Sequence, residues 1–286
     1  MRPLLRPCIE KSLENPVTGC NLCGGTDWQT VESAGETRVV RCACGLVFVT
    51  PSPRRSSLEQ AYGEAYYRPW EDQASQREWI WTRRMRRVEA LAESPGRLLD
   101  VGCGTGVFLQ VAQARGWEVT GTEFSPFAVE AATRHGFTVV HGELWDAGFP
   151  SNTFDVVTCW HVIEHTADPL RVAREILRVL QPGGWLVLAV PNLEDHIFRT
   201  AYVLARLRRP RLYEPDEREI HLVHFSTRTL RTLVAAAGFN VVEVGFDRGA
   251  AAVWKQRMVN EFAYLWYRLT GLNWGMALEL VAQKPA

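Results

Sequence analysis

The most constraining feature of the sequence is a glycine-rich loop directly after a short apolar run. Residues 97–101 read as a buried strand, and three glycines then alternate with other residues at Gly102, Gly104 and Gly106. Glycine is needed where the backbone turns sharply and passes close to a ligand. Because a helical stretch follows through Arg115, the segment predicts a ligand-binding loop between a strand and a helix.

The same alternation of strands and helices continues along the chain. Strand-like runs lie at 97–101, 117–121, 137–140, 154–159, 185–190, 239–246 and 276–282. Helical stretches between them cover 125–135, 168–180 and 226–237. Such alternation forms βαβ units, in which a mostly parallel sheet is covered by helices on both faces. We therefore expect an α/β fold with a doubly wound sheet.

Two acidic residues indicate which ligand the loop binds. A dinucleotide fingerprint would need glycine where Val107 stands, and Asp100 beside the loop would repel a pyrophosphate. An acidic residue suits a cationic ligand, and S-adenosylmethionine carries an amino group and a sulfonium but no phosphate. Glu123 ends the next strand, where a carboxylate can accept hydrogen bonds from ribose hydroxyls. The alternative is a plain glycine turn with a surface glutamate.

These segments resemble class I S-adenosylmethionine-dependent methyltransferases. The resemblance rests on the loop at 99–106, on Glu123, and on the segments 154–157, 161–169, 180–184 and 191–192. It covers about residues 97–282 and implies a Rossmann-like, seven-stranded sheet with an antiparallel last hairpin. It also implies cofactor contacts at Tyr66, Asp100, Gly102, Cys103, Gly104, Gly106, Glu123, Phe124, Glu143, Leu144 and Trp160. The segment G-E-L-W-D-A around Glu143 departs from the usual G-D-x-x-x-L-P of this family.

Four cysteines near the N-terminus have a spacing that suits a structural zinc ion. Cys20 and Cys23 form C-x₂-C, and after 18 residues Cys42 and Cys44 form C-x-C. Four thiolates make a closed tetrahedral site. Methyltransferases of the subgroup that this chain resembles often begin with such a ribbon, in which the second pair of cysteines is spaced C-x₂-C. Because the second pair here is one residue shorter, Cys8 could take the place of one ligand. A degenerate ribbon or free thiols are the alternatives; an odd count of seven cysteines disfavours a disulfide framework.

Histidines are the candidate bases for methyl transfer to a hydroxyl. Because the sulfonium already activates the methyl group, the protein must align the acceptor and remove its proton. His161, Glu164 and His165 share one helical face and resemble a metal-binding E-x-x-E-H array whose first position is glutamate. His221 matches an active-site histidine of related sugar methyltransferases. Alternatively, His221 caps the following helix, and Glu164 with His165 forms a structural corner below the cofactor.

Composition limits the partners of the protein. Lys+Arg and Asp+Glu are 32 each, so the zero formal charge disfavours long nucleic acids. No apolar run reaches the roughly 18 residues of a membrane span, and the first ten residues lack the apolar core of a signal peptide. We expect a soluble, cytoplasmic protein whose oligomeric state the sequence leaves open.

The sequence thus predicts three segments: a Cys-rich ribbon at 1–52, a helical connector at 53–95 and a methyltransferase domain at 96–286. An aromatic and arginine-rich insertion at 192–225 would form a lid or acceptor pocket, contact a membrane surface, or simply be solvated. The predicted function is O-methylation of a small molecule such as a sugar, nucleotide sugar or glycosylated natural product. The alternatives are a lipid or quinone acceptor at a membrane, and a catalytically silent binding or assembly protein.

Overall fold

The N-terminal part of the chain combines a small sheet with three helices. The computed structural model describes residues 17–71, 74–214, 219–250 and 254–286, and Cys8 lies outside these residues. Antiparallel strands β1 (Trp28–Ala34), β2 (Thr37–Cys42) and β3 (Val47–Thr50) are followed by helices α1 (Arg55–Ala61), α2 (Glu64–Glu71) and α3 (Ala74–Glu89). The sequence predicted one helical stretch here, whereas Gly63 lies at a break between α1 and α2.

The remaining chain alternates strands and helices, as predicted. It begins with β4 (Arg97–Val101), α4 (Val107–Gln113), β5 (Glu118–Glu123), α5 (Pro126–Arg134), β6 (Thr138–His141) and β7 (Phe154–Trp160). It continues with α6 (Pro169–Val179), β8 (Leu180–Pro191), α7 (His196–Arg206), β9 (Val223–His224) and α8 (Thr227–Ala236). It ends with β10 (Asn240–Phe246), α9 (Trp254–Thr270) and β11 (Ala277–Gln283). The helix starts follow local signals, since Ser125 and Asp168 accept hydrogen bonds from the first turns of α5 and α6.

Seven strands form the central sheet in the order β10-β11-β8-β7-β4-β5-β6. Strands β4 to β8 run parallel, and β11 is antiparallel to both of its neighbours. This confirms the predicted seven-stranded α/β fold with an antiparallel last hairpin. Side chains on both faces of β4 and β7 are buried, as expected when helices cover both faces. Strand order reverses beside β4, and ligands bind at the carboxyl ends of strands at such a point.

A pairing that the sequence did not predict joins the N-terminal sheet to a segment from the C-terminal half of the chain. Strand β9 pairs with β3 through Val47 with His224 and Phe48 with Val223. The amide of Val49 also donates to the carbonyl of Leu222 at 2.9 Å. A two-residue strand is too short to show a hydrophobic period. The segment that carries His221 is therefore held directly by the sheet that carries the cysteines.

Candidate active site

A cavity of about 440 Å³ opens at the carboxyl ends of the parallel strands. Its wall includes every predicted catalytic residue: His161, Glu164, His165 and His221. It also includes most of the predicted cofactor contacts: Tyr66, Gly102, Cys103, Gly104, Glu123, Phe124, Glu143, Leu144 and Trp160. Asp100 and Gly106 are not on this wall. The size is in the range typical of cofactor and substrate sites.

The glycine loop serves both the cavity and the packing beneath it. Gly102 has a φ of +70°, and a Cβ there would lie 2.3 Å from Val162 Cγ2, so only glycine fits. Gly106, which the resemblance predicted as a cofactor contact, packs instead against Phe137, whose ring a Cβ would meet at 2.8 Å. Gly102 thus shapes the cavity wall, and Gly106 permits the close approach of the start of α4 to Phe137 and to Ala132 of α5.

Glu123 is a buried carboxylate on the wall of the cavity. Its oxygens accept hydrogen bonds from the Gly104 amide at 2.9 Å, the Ser125 amide at 2.8 Å and the Tyr67 hydroxyl at 3.1 Å. Burial raises the pKa of Glu123 above its ordinary value, although these donors oppose the shift. The glutamate is thus held in a fixed orientation at the end of β5, where it can accept hydrogen bonds from a ligand.

Asp100 lies beneath the loop rather than on the cavity surface. Its carboxylate is buried and accepts a hydrogen bond from Thr158 Oγ1 at 2.7 Å. Burial raises the pKa of Asp100 to about 7, because a charged carboxylate loses its hydration there. The sequence placed Asp100 against a cationic ligand, whereas the structure places Val101 and Gly102 on the wall in front of it.

His161 lies between two buried carboxylates at the end of β7. Its Nδ1 is 3.4 Å from Glu164 Oε1, and its Nε2 is 3.6 Å from Asp247 Oδ2. Burial disfavours the charged ring, but the two carboxylates outweigh this and raise the pKa of His161 to about 9. His161 is therefore a cation at neutral pH, which suits it to an electrostatic role and not to that of a base.

Arg84 and Asp247 belong to this site, and sequence reasoning missed both. Arg84 Nη2 lies 3.2 Å from Asp247 Oδ2, and the Arg84 guanidinium lies over the Trp160 ring at 4.5 Å. Although burial opposes ionisation, Arg84 and His161 keep the pKa of Asp247 below its ordinary value. In the sequence, Arg84 is one of several arginines along α3, and Asp247 merely follows β10. No local signal marks either residue as part of a site.

Glu164, His165 and His221 could together hold a divalent cation. One donor atom from each lies within 4.8 Å of the others. Both carboxylate oxygens of Glu164 are buried and accept no hydrogen bond from the residues that the structure describes. His165 Nδ1 lies 2.7 Å from the Ile220 carbonyl and donates to it, while His165 Nε2 lies 3.9 Å from Glu164 Oε1. A buried carboxylate beside two imidazole rings is a donor set that suits a divalent cation.

His221 is the cavity histidine whose neutral form is most favoured. Burial and the neighbouring His165 lower the pKa of His221 to about 4, and the two rings are 5.0 Å apart. The adjacent Leu222 donates its amide to the Glu164 carbonyl at 2.8 Å, while its own carbonyl accepts from Val49. Since an uncharged imidazole can accept a proton, His221 can act as a base, and its lowered pKa makes it a weak one.

The four predicted zinc ligands converge near the edge of the N-terminal sheet. The Sγ atoms of Cys20 and Cys44 are 3.7 Å apart, and those of Cys23 and Cys42 are 3.5 Å apart. Four thiolates at about 2.3 Å from a tetrahedral zinc ion would be separated by about 3.8 Å. The Gly25 amide donates to Cys23 Sγ at 3.4 Å. The C-x-C spacing therefore does not prevent a four-cysteine cluster, which forms without Cys8.

A family model described as a methyltransferase domain matches residues 73–244, which is more than half of the chain. The chain belongs to this methyltransferase family. A ubiquinone biosynthesis O-methyltransferase of Thiobacillus denitrificans is 33% identical over 129 residues, covering 42% of this chain and 55% of the relative. The mitochondrial enzyme of that name from Schizosaccharomyces pombe is 32% identical over 149 residues, covering 49% and 50%. The chain thus spans about half the length of these curated relatives.

This methyltransferase shares its fold with solved structures of S-adenosylmethionine-dependent methyltransferases. A possible histamine N-methyltransferase from Thermotoga maritima superposes with a TM-score of 0.54 at 21% identity, covering 77% of this chain and 97% of the other. A methyltransferase from Archaeoglobus fulgidus gives a TM-score of 0.53 at 19% identity, covering 77% and 100%. At such identities the likeness concerns the fold alone.

Proposed function

We propose that this methyltransferase transfers the methyl group of S-adenosylmethionine to a hydroxyl oxygen of a small-molecule acceptor. One observation carries the proposal: a single cavity has a glycine loop with Glu123 on one side and three histidines on the other. The cofactor, when bound, supplies an activated methyl group on a sulfonium. The curated relatives described above are O-methyltransferases, which supports oxygen as the acceptor atom.

In this proposal the glycine-loop side of the cavity binds the cofactor and the histidine side binds the acceptor. The glycine loop, Glu123 and Tyr67 would hold the cofactor, since a buried carboxylate is well suited to ribose hydroxyls. His221 would remove the proton of the acceptor hydroxyl as the methyl group is transferred. His161, as a half-buried cation held by Glu164 and Asp247, would stabilise negative charge that develops on the acceptor oxygen. A divalent cation at Glu164, His165 and His221 would instead act as a Lewis acid on that oxygen.

Among acceptors, we favour a hydroxyl on an aromatic ring. Aromatic side chains contribute much of the cavity wall: Tyr62, Tyr66, Trp70, Trp81 and Trp160. They can contact a flat ring through offset stacking or edge-to-face packing. The relatives named for ubiquinone biosynthesis point the same way, towards a quinol-type acceptor. A sugar hydroxyl, which the sequence favoured, is the alternative, because sugar faces also pack on aromatic rings.

The test is methyl transfer from labelled S-adenosylmethionine to two acceptor panels, one of catechols and one of sugars and nucleotide sugars. We expect S-adenosylhomocysteine release with a catechol and its methyl ether as product. Transfer only to sugars would replace the aromatic acceptor with the alternative. Cofactor binding without transfer to either panel would favour a catalytically silent binding protein.

We also propose that Cys20, Cys23, Cys42 and Cys44 bind one structural zinc ion. We expect Cys42→Ser to abolish stoichiometric zinc and to lower the free energy of unfolding by several kcal/mol, since metal binding is coupled to folding in such sites. Because β3 pairs with β9, hydrogen exchange at 219–225 should also speed up. Elemental analysis and exchange mass spectrometry measure these effects.

Cys8→Ser is the matched control for the zinc prediction. It should retain one zinc ion per chain, because the four-cysteine cluster forms without Cys8. Zinc loss in Cys8→Ser would make Cys8 a ligand, and a wild-type protein without zinc would contradict the proposed site.

A further inference from the structure

Two packed helices expose an unusual amount of apolar surface. Helix α7 contacts α9, and Trp274 links them by stacking on Trp266 of α9 and meeting His196 of α7 edge-on. Among the described residues, all the exposed large apolar side chains except Val31 and Val242 lie on these helices or directly after them. Single exposed apolar residues are ordinary on proteins, but a concentration of them marks an interaction site.

On α9 the exposed apolar residues form one continuous stripe. Its members are between 60% and 85% exposed: Trp254, Met258, Phe262, Leu265 and Leu269. Their spacing of three or four residues places them on one face of the helix, while Asn260 and Ala263 face the protein and are buried. The end of α7 adds Leu204, which is 75% exposed, and Leu207, which is 90% exposed. This face consequently has no covering element among the described residues.

Most of the charges beside this surface are positive: Lys255, Arg257 and Arg268 on α9 are exposed, and the one carboxylate of α9, Glu261, pairs with Arg248. Arg206, Arg208 and Arg209 follow one another at the end of α7 and are exposed. Among the described residues no carboxylate lies within ion-pair distance of these three, whereas the nearby Arg199 pairs with Asp195. The sequence from 196 to 213 contains no Asp or Glu at all. An apolar helix face with unpaired arginines matches an interface of hydrocarbon and anionic headgroups.

We propose that α7 and α9 form a docking surface for an anionic phospholipid bilayer. A second copy of the chain fits less well, because a two-fold contact would place the same cationic patch on both partners. The docking would be peripheral, since no helix in the described part of the chain is long and apolar enough to span a bilayer.

The docking surface is connected closely to the cavity. Gly249 lines the cavity shortly before α9 begins, Met276 lines it shortly after α9 ends, and Pro191 lines it shortly before α7. A bilayer against these helices would therefore contact elements that border the acceptor side. This inference does not depend on the proposed methyl transfer, because it is tested by binding alone.

The test is sedimentation of the full-length protein with vesicles of phosphatidylcholine alone or mixed with phosphatidylglycerol. We expect binding only to the mixed vesicles, weakened by added salt. Replacing Arg206, Arg208 and Arg209 together with glutamine should weaken binding on the order of 100-fold. Phe262→Asp with Leu265→Asp should weaken it by about tenfold or more.

The matched control is Val242→Asp, which places the same charge at an exposed apolar position on β10. It should bind vesicles as the wild type does, and all variants should melt at the wild-type temperature. The proposal is overturned if the wild type does not bind the mixed vesicles. It is also overturned if the variant with Phe262→Asp and Leu265→Asp binds them as tightly as the wild type. It is also overturned if sedimentation velocity shows a dimer that Phe262→Asp dissociates, because the stripe would then be a contact between copies.

Discussion

Glu123→Ala should weaken the binding of S-adenosylmethionine on the order of 100-fold. The carboxylate is fixed by three donors, so its orientation towards a ribose is set before the ligand arrives. Removing it costs hydrogen bonds to a charged group, about 3 kcal/mol in total, which corresponds to that factor. It also leaves the Gly104 amide without its acceptor. Titration calorimetry with the cofactor and with S-adenosylhomocysteine measures the loss.

Glu118→Ala is the matched control, because Glu118 begins the same strand and is exposed. It should bind the cofactor as the wild type does. Asp100→Ala should have a smaller effect than Glu123→Ala, since Asp100 lies beneath the loop and does not line the cavity. A folded Glu123→Ala protein with wild-type affinity would contradict the placement of the cofactor on this side.

His221→Ala should lower the turnover number about 100-fold while cofactor affinity stays unchanged. General bases typically contribute 100-fold to 10,000-fold. Because the pKa of His221 is lowered to about 4, its weak basicity places the expected effect near the lower end. The same shift keeps the ring neutral above about pH 5, so His221 itself should cause no fall in rate as the pH drops from 8 to 6. Single-turnover rates across this range measure both effects.

His135→Ala provides the histidine control, since His135 is exposed at the end of α5 and is not on the cavity wall. It should retain the full rate. A base role also requires that the wild-type rate be independent of added Mg²⁺ or Mn²⁺. A rate that rises with either ion and is insensitive to it in His221→Ala would make His221 a metal ligand instead. Unchanged turnover in His221→Ala would remove it from the mechanism.

Much of the fold could be predicted from short segments of the sequence. The loop around Gly102, the strand ends at Val101 and Glu123, and the caps at Ser125 and Asp168 depend on residues close together in the chain. Backbone sterics and capping act within a few residues, so their outcome can be predicted without knowing the rest of the fold. The same holds for the C-x₂-C and C-x-C pairs, whose spacing places thiols at turns.

Only the tertiary structure decided which distant groups meet. Arg84 and Asp247 are separated by 163 positions, yet their ion pair and its neighbour His161 form one side of the cavity. Likewise, β9 joins β3 because the sheet brings 223–224 beside 47–48, although two residues carry no periodic signal. The raised pKa of His161 and the lowered pKa of His221 follow from these long-range contacts and from burial. The sequence itself determined the fold and the position of the glycine loop and Glu123, whereas packing determined which histidine is charged and which can accept a proton.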